Sequence, residues 1–202
     1  MESISSYKNK AIESLKDKWM DAAIVSLVFF LLFEGINFLV SSFLDSTSGL
    51  GFQIVWILAC MPLSWGFIIV FLDFIRGGEL SSGNLFAGYK DCLRIGIAYL
   101  LNFLAIFVGS IFFIVPGIIF GMMFAQTPYI LRDNESISAI DAMKQSARMM
   151  SGHKMDLFLL YLSFIGWVIL AFLTLGIGFL FLAPYLNTTV AHYYEDLKKQ
   201  NF

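Results

Sequence analysis

Charge is what this sequence has least of. Only 14% of its 202 residues are charged, 13 Lys and Arg against 15 Asp and Glu, where ordinary soluble domains carry about 25%. The formal net charge of -2 leaves no basic excess for a phosphate backbone, which excludes nucleic acid as a partner. The four lysines near the start, Lys8, Lys10, Lys16 and Lys18, are matched by Glu2, Glu13, Asp17 and Asp21. Cysteine is almost missing too. Cys60 and Cys92 have no metal or redox spacing, and both are expected to be packed free thiols. The two histidines, His153 and His192, are too far apart in the chain to be proposed as ligands of one metal. The chain contains no HExxH, no GxSxG, no P-loop and no acids paired at matching depth. No catalytic residue, metal or cofactor is therefore assigned, and the chain is read as non-enzymatic.

What fills the sequence instead is apolar. Hydrophobic residues make up 58% of it, 22 of them Phe, and they are gathered into stretches near the roughly 20 residues needed to cross a bilayer. The spacing predicts helices at about Trp19 to Phe43, Phe52 to Phe74, Cys92 to Val115, Gly117 to Leu131, Leu157 to Leu175 and Ile177 to Tyr194. The first apolar run begins near Met20, is about twice the length of a signal-peptide core and contains Glu34, so it reads as a retained helix. Residues 157–194 as one helix would reach about 57 Å, almost twice the hydrocarbon thickness, so Gly176 and Gly178 are expected to break them into a hairpin.

The placement of the basic residues tests that division. Lys8, Lys10, Lys16 and Lys18 precede the first helix, and Arg76, Lys90 and Arg94 fall around the second connection. Arg132, Lys144, Arg148 and Lys154 fall in the fourth, and Lys198 and Lys199 follow the last helix. These account for every Lys and Arg. The connections around Asp45 to Gly51, Pro116 and Gly176 contain none. Positively charged loops stay in the cytoplasm, so the expected fold is all-α and polytopic: six transmembrane helices as three hairpins, both termini cytoplasmic, with amphipathic cytoplasmic helices. One membrane domain covers 1–202, divided into an amphipathic segment 1–18, four helices over 19–131, a cytoplasmic helix within 132–156, the last hairpin over 157–194 and a tail over 195–202.

Residues 136–151 place Ile137, Ile140, Met143, Ala147 and Met150 on one face, with a capping box from Ser138 to Asp141 and a stop at Gly152. Ile4, Ala11, Ile12, Leu15 and Trp19 form a similar face near the start. Trp19, Lys144 and Arg148 are the residues expected at the membrane interface.

The candidate intramembrane polar site consists of Glu34, Asn102, Gln126, Asn187, Thr188 and His192. Glu34 stands out because it lies about 22 Å along the first helix from Trp19. A carboxylate at mid-membrane costs about 2.5–3.5 kcal/mol on insertion scales, so it is expected to face the bundle, be protonated or have a polar partner. Asp73 is expected to pair with Arg76, three residues on. Gly117 to Gly121 and Ala105 to Gly109 are small-xxx-small patterns suited to close helix contact, within the chain or between chains.

Several of these features, in their order along the chain, resemble a bacterial family of membrane proteins catalogued as domain of unknown function 975. They are Pro116-Gly117-Ile118, Ala142 and Ser146, Gly152-His153-Lys154, the run LSFIGW at 162–167, Pro184-Tyr185, Thr188 and Tyr194. The resemblance extends from Trp19 to Tyr194. It implies a bacterial inner-membrane location and a six-helix bundle, and it brings no activity or catalytic residues. The proline-glycine hairpin and the stretch from Ser146 to Gly152 also resemble membrane domains attached to some glycerophosphodiester phosphodiesterases, but their soluble catalytic domain is missing from this sequence, so that activity is not carried over. The favoured reading is a scaffold or partner-binding membrane component in contact with the lipid bilayer and with a protein partner or a second copy. The alternative is a small transporter or lipid-handling protein using the polar site between its helices.

Overall fold

The computed structural model describes residues 2–42, 46–112 and 114–201. The predicted end of the first helix at Phe43, and Asp45 in the following connection, lie outside them. Among the described residues all regular structure is helical. Five helical stretches are long and apolar enough to cross a membrane: Trp19–Leu39, Gly51–Ile75, Ser82–Ile111, Ile114–Asp133 and Lys154–Leu173.

The chain opens with α1 (Ile4–Leu15), whose first turn is capped by the Ser3 hydroxyl accepting from the Ser6 amide. Tyr7, Ala11 and Leu15 are its buried stripe, one residue every turn. Ile12, expected on that face, is 46% exposed. The helix ends where Asp17 takes a left-handed φ of 64°, and the chain turns into α2 (Trp19–Phe30). A π-helical turn, Leu31–Gly35, connects α2 to α3 (Ile36–Ser41), so the first span is one helix with an extra residue inserted. The second span belongs to α4 (Ser46–Ile75), which contains Pro62.

After α4 the chain folds back on itself. Residues Ser82–Asp91 form a 3-10 segment lying along α4, and two glycines let the backbones touch. A Cβ at Gly66 would sit 2.0 Å from the Leu85 carbonyl oxygen, and one at Gly88 would sit 2.4 Å from that of Pro62. The third and fourth spans contain α5 (Cys92–Phe112), α6 (Ile114–Phe124) and α7 (Thr127–Asp133). Pro116, expected in the connection, lies in the first turn of α6, where a missing N–H removes no helical bond. A Cβ at Gly109 would stand 3.2 Å from the Gly117 amide nitrogen, and one at Gly117 would stand 2.1 Å from the Ser110 hydroxyl. The two glycines therefore serve contact within the chain, between α5 and α6.

Next comes α8 (Ala139–Met149), N-capped by Ser138, which accepts from the Asp141 amide. Its buried face is Ala139, Ala142, Ser146 and Met149, about one residue round from the predicted one, and Ile140 is 54% exposed. Small side chains let α8 approach α5 and α7 closely, and that packing outweighs the larger apolar residues beside them. The fifth span is α9 (Lys154–Leu162) followed by α10 (Ile165–Leu173). Leu175 and Gly176 then take φ of 54° and 90°, and the chain returns as α11 (Phe179–Asn201). This last helix packs against α1, α2, α4 and α10 and buries Tyr185, Thr188, Val190, Ala191, Tyr193, Tyr194 and Leu197.

Three spans are interrupted, and each interruption exposes a carbonyl that water cannot reach within a bilayer. A side chain from another element occupies each. Trp56 Nε1 donates to the Phe33 carbonyl in the π turn at 3.2 Å. Ser146 Oγ donates to the Met123 carbonyl at 2.9 Å and accepts from the Gln126 amide at 3.2 Å, bridging the gap between α6 and α7. Lys8 Nζ donates to the Ser163 carbonyl at 2.9 Å between α9 and α10.

At the basic end of the molecule, charges join helices that are distant in sequence. Arg76 pairs with Asp133 at 2.6 Å and with Glu195, and Lys198 reaches the same Asp133 at 2.6 Å. Asp73 does not pair with Arg76 as its spacing predicts; it takes Arg132 at 3.1 Å. The side chain three residues along on α4 is drawn away by two carboxylates from other helices. Cys60 is buried as expected, whereas Cys92 is exposed at the start of α5, which corrects its reading as a packed thiol.

Candidate functional site

The six candidate polar residues stand on four parts of the fold: Glu34 in the π turn, Asn102 on α5, Gln126 between α6 and α7, and Asn187, Thr188 and His192 on α11. No hydrogen bond joins any two of them among the described residues. Asn187 donates to the Ala183 carbonyl of its own helix at 2.8 Å. A ring nitrogen of His192 lies 3.0 Å from the Ser14 hydroxyl, holding α11 to α1. Gln126 is wholly buried, and both polar atoms of its side chain lack a partner among the described residues. The same is true of the Thr188 hydroxyl and of Asn102 Oδ1. No group of three metal-ligating side chains occurs among the described residues. Trp19 is half-buried, with its edge against the Tyr185 ring 6.3 Å away, while Lys144 and Arg148 are on the exposed face of α8.

Glu34 departs most from expectation. It stands in the π turn, exposed, with no hydrogen bond or ion pair to any described residue. The bundle side of that helix is taken by Phe29, stacked on Phe67 at 4.2 Å and on Phe33 at 5.5 Å. The Phe33 carbonyl is fixed by Trp56 as well. With those rings turned inward, Glu34 is carried outward, in line with Leu31, 59% exposed, and Phe38, 73% exposed. Of the three outcomes expected for Glu34 (facing the bundle, protonation or a polar partner), burial in the bundle is not met: the side chain is exposed, close enough to the Cys60 thiol to act on it electrostatically, and aromatic packing sets the rotation of the helix.

Beside the π turn, α3, α4 and α5 enclose an open groove of about 520 Å³ lined by Phe33, Asn37, Gln53, Trp56, Cys60 and Tyr99. Its polar feature is an amide pair, Gln53 Nε2 donating to Asn37 Oδ1 at 3.2 Å. Sequence reading missed Gln53, which falls at the edge of an apolar run and has no helical partner in its own segment. It also missed the charge cluster around Asp133, where Tyr194 donates a further hydrogen bond at 2.7 Å. Charges at the ends of three helices, α4, α7 and α11, give no spacing by which to connect them.

A family profile described as "Protein of unknown function (DUF975)" matches residues 100–201, half of the chain. The chain belongs to the DUF975 family. The match begins within α5 and runs through α11, so it takes in the Ser146 bridge, Asp133, Glu195 and Lys198 of the charge cluster and the last two helices, while Glu34 and the groove walls from α3 and α4 lie before it. No curated protein and no solved structure matches this DUF975 chain.

Proposed function

We propose that this DUF975 protein is a non-enzymatic component of a bacterial inner membrane that binds a protein partner through its first span. The observation that supports it is Glu34, a carboxylate exposed in the middle of an apolar stripe and close to Cys60 at the edge of the groove. Ionisable residues within a membrane almost always face a bundle interior or an aqueous cavity. A partner helix bringing a cation or a hydrogen-bond donor gives Glu34 such an interior, and the adjoining groove gives the partner's apolar side chains a place to pack. Asn187 and His192 are engaged with the Ala183 carbonyl and with Ser14, and no hydrogen bond joins any two of the six candidate residues among the described ones, which leaves the transporter alternative with less support than the docking face.

In this reading all the basic residues lie in the cytoplasm, α11 is a sixth crossing, and α1 and α8 lie at the inner leaflet. Photo-crosslinking groups placed at Leu31 and Phe38 in native membranes test the docking face. They should capture a defined partner in wild type and lose it in Glu34→Ala, whereas a group at Ile169, exposed on α10, should capture none. Equal capture with and without the carboxylate defeats the proposal. Capture of a second copy of this chain would identify the partner as itself.

A further inference from the structure

A second recess lies on the other side of the first span and involves none of the groove residues beside Glu34. The elbow between α1 and α2 stands against α10 and α11, leaving an open cleft of about 440 Å³ lined by Ile12, Trp19, Trp167, Leu170, Ala171 and Leu182, among others. It opens outward, since Trp167 is 51% and Leu170 54% exposed. Ile12 and Trp19 also line a neighbouring recess of about 500 Å³, whose other walls are Asn9, Glu13, Lys16 and Asp17. An apolar slot thus continues into a charged mouth.

The charges at that mouth are free. No side chain of Glu13, Lys16 or Asp17 makes an ion pair or hydrogen bond to a described residue, although nearly every other charge on α1 is engaged. Lys8 caps the Ser163 carbonyl, Lys10 pairs with Glu2, and Lys18 pairs with Asp21. Asp17 also holds the left-handed backbone of the elbow, an uncommon conformation for a residue with a side chain, and it brings its carboxylate to the same mouth as Glu13.

From this arrangement we infer a binding site for one phospholipid with a zwitterionic, ammonium-bearing headgroup of the phosphoethanolamine type. The acyl chain fills the cleft between Trp19 and Leu170, the ammonium lies between Glu13 and Asp17, and the phosphate meets Lys16. Two carboxylates against one lysine disfavour an anionic headgroup, which would add negative charge where negative charge is already in excess. An ammonium with three N–H donors satisfies both carboxylates, and a choline headgroup has no such donors. The cleft falls within the range of roughly 300–1,000 Å³ typical of small-molecule sites.

Native mass spectrometry of the full chain, released from micelles holding equal amounts of dioleoyl phosphatidylethanolamine, phosphatidylcholine and phosphatidylglycerol, tests the inference. Wild type should retain one phosphatidylethanolamine at least ten-fold over the other two. The double variant Glu13→Gln with Asp17→Asn should lose that preference. Because Gln and Asn at these exposed positions touch no core residue, misfolding does not account for such a loss. Leu170→Trp, which fills the slot from its open side, should lose the lipid, while Ile169→Trp, on the outer face of the same helix, should keep it. Equal retention of the three lipids by wild type, or retention of phosphatidylethanolamine by Leu170→Trp, overturns the site.

Discussion

At the scale of the residue, Gln126 shows how costly side chains persist in this protein. Its backbone amide is held by Ser146, yet its carboxamide is wholly buried without a hydrogen bond among the described residues. An unpaired buried amide costs about 1–3 kcal/mol, and Leu has nearly the same bulk without the polar atoms. Gln126→Leu should therefore melt in detergent at the same temperature as wild type or a few degrees higher. A clear drop would mean that the carboxamide has a partner in the native protein. Glu34 is the outward counterpart: its identity was plain in the sequence, but its direction depended on where Phe29, Phe33 and Trp56 found their contacts. Asp73 likewise exchanged its near neighbour for Arg132, because another helix offered Arg76 better carboxylates.

At the scale of the element, α1 is tied to α11 by a hydrogen bond between titratable groups, the Tyr7 hydroxyl donating to Asp196, beside the Ser14–His192 contact and the packing of its buried stripe. The Tyr7 ring also meets Tyr193 edge-on at 5.6 Å. Burial pushes the Asp196 carboxyl up, but the Tyr7 hydroxyl, the Glu2 amide and the charge of Lys10 outweigh it and hold the group below its ordinary value. A carboxyl lowered on folding stabilises fully above its unfolded value, near pH 4, and loses that contribution as pH falls through the folded one. Protection factors for hydrogen exchange over residues 4–15, which remove the pH dependence of intrinsic exchange, should thus be unchanged between about pH 7 and 5 and should fall in stronger acid, below about pH 4. Asp196→Asn should flatten that acid response. An identical profile in the variant would show that α1 is held by packing alone. The amphipathic pattern made both α1 and α8 legible as helices. The choice of buried face was less legible, because Ala139, Ala142 and Ser146 gain by close approach what their small apolar area does not suggest.

At the scale of the whole molecule, five stretches meet the length and hydropathy for crossing a membrane, and α11 is the ambiguous sixth. Its first half is apolar and its second carries His192, Glu195, Asp196, Lys198 and Lys199, so the average over the helix is diluted. Topology reporters decide the matter. Fusions after Gly152 and after Phe202 should report the cytoplasm, and one inserted at Gly176 should report the outside. A cytoplasmic signal at Gly176 would make the last hairpin a re-entrant loop and lower the count of crossings. What the sequence alone determined was the helical class, the position of the long apolar stretches and the gathering of every basic residue into alternate connections. Those are local properties, since the cost of placing a peptide group or a charge in lipid depends on the segment that carries it. Only the tertiary structure decided which way Glu34 faces, that Ser82–Asp91 folds back over Gly66, and that Arg76, Asp133, Glu195 and Lys198 share one cluster. A helix is free to rotate about its own axis at almost no cost until side chains from distant segments lock it, and those contacts have no signature in the spacing of a single stretch.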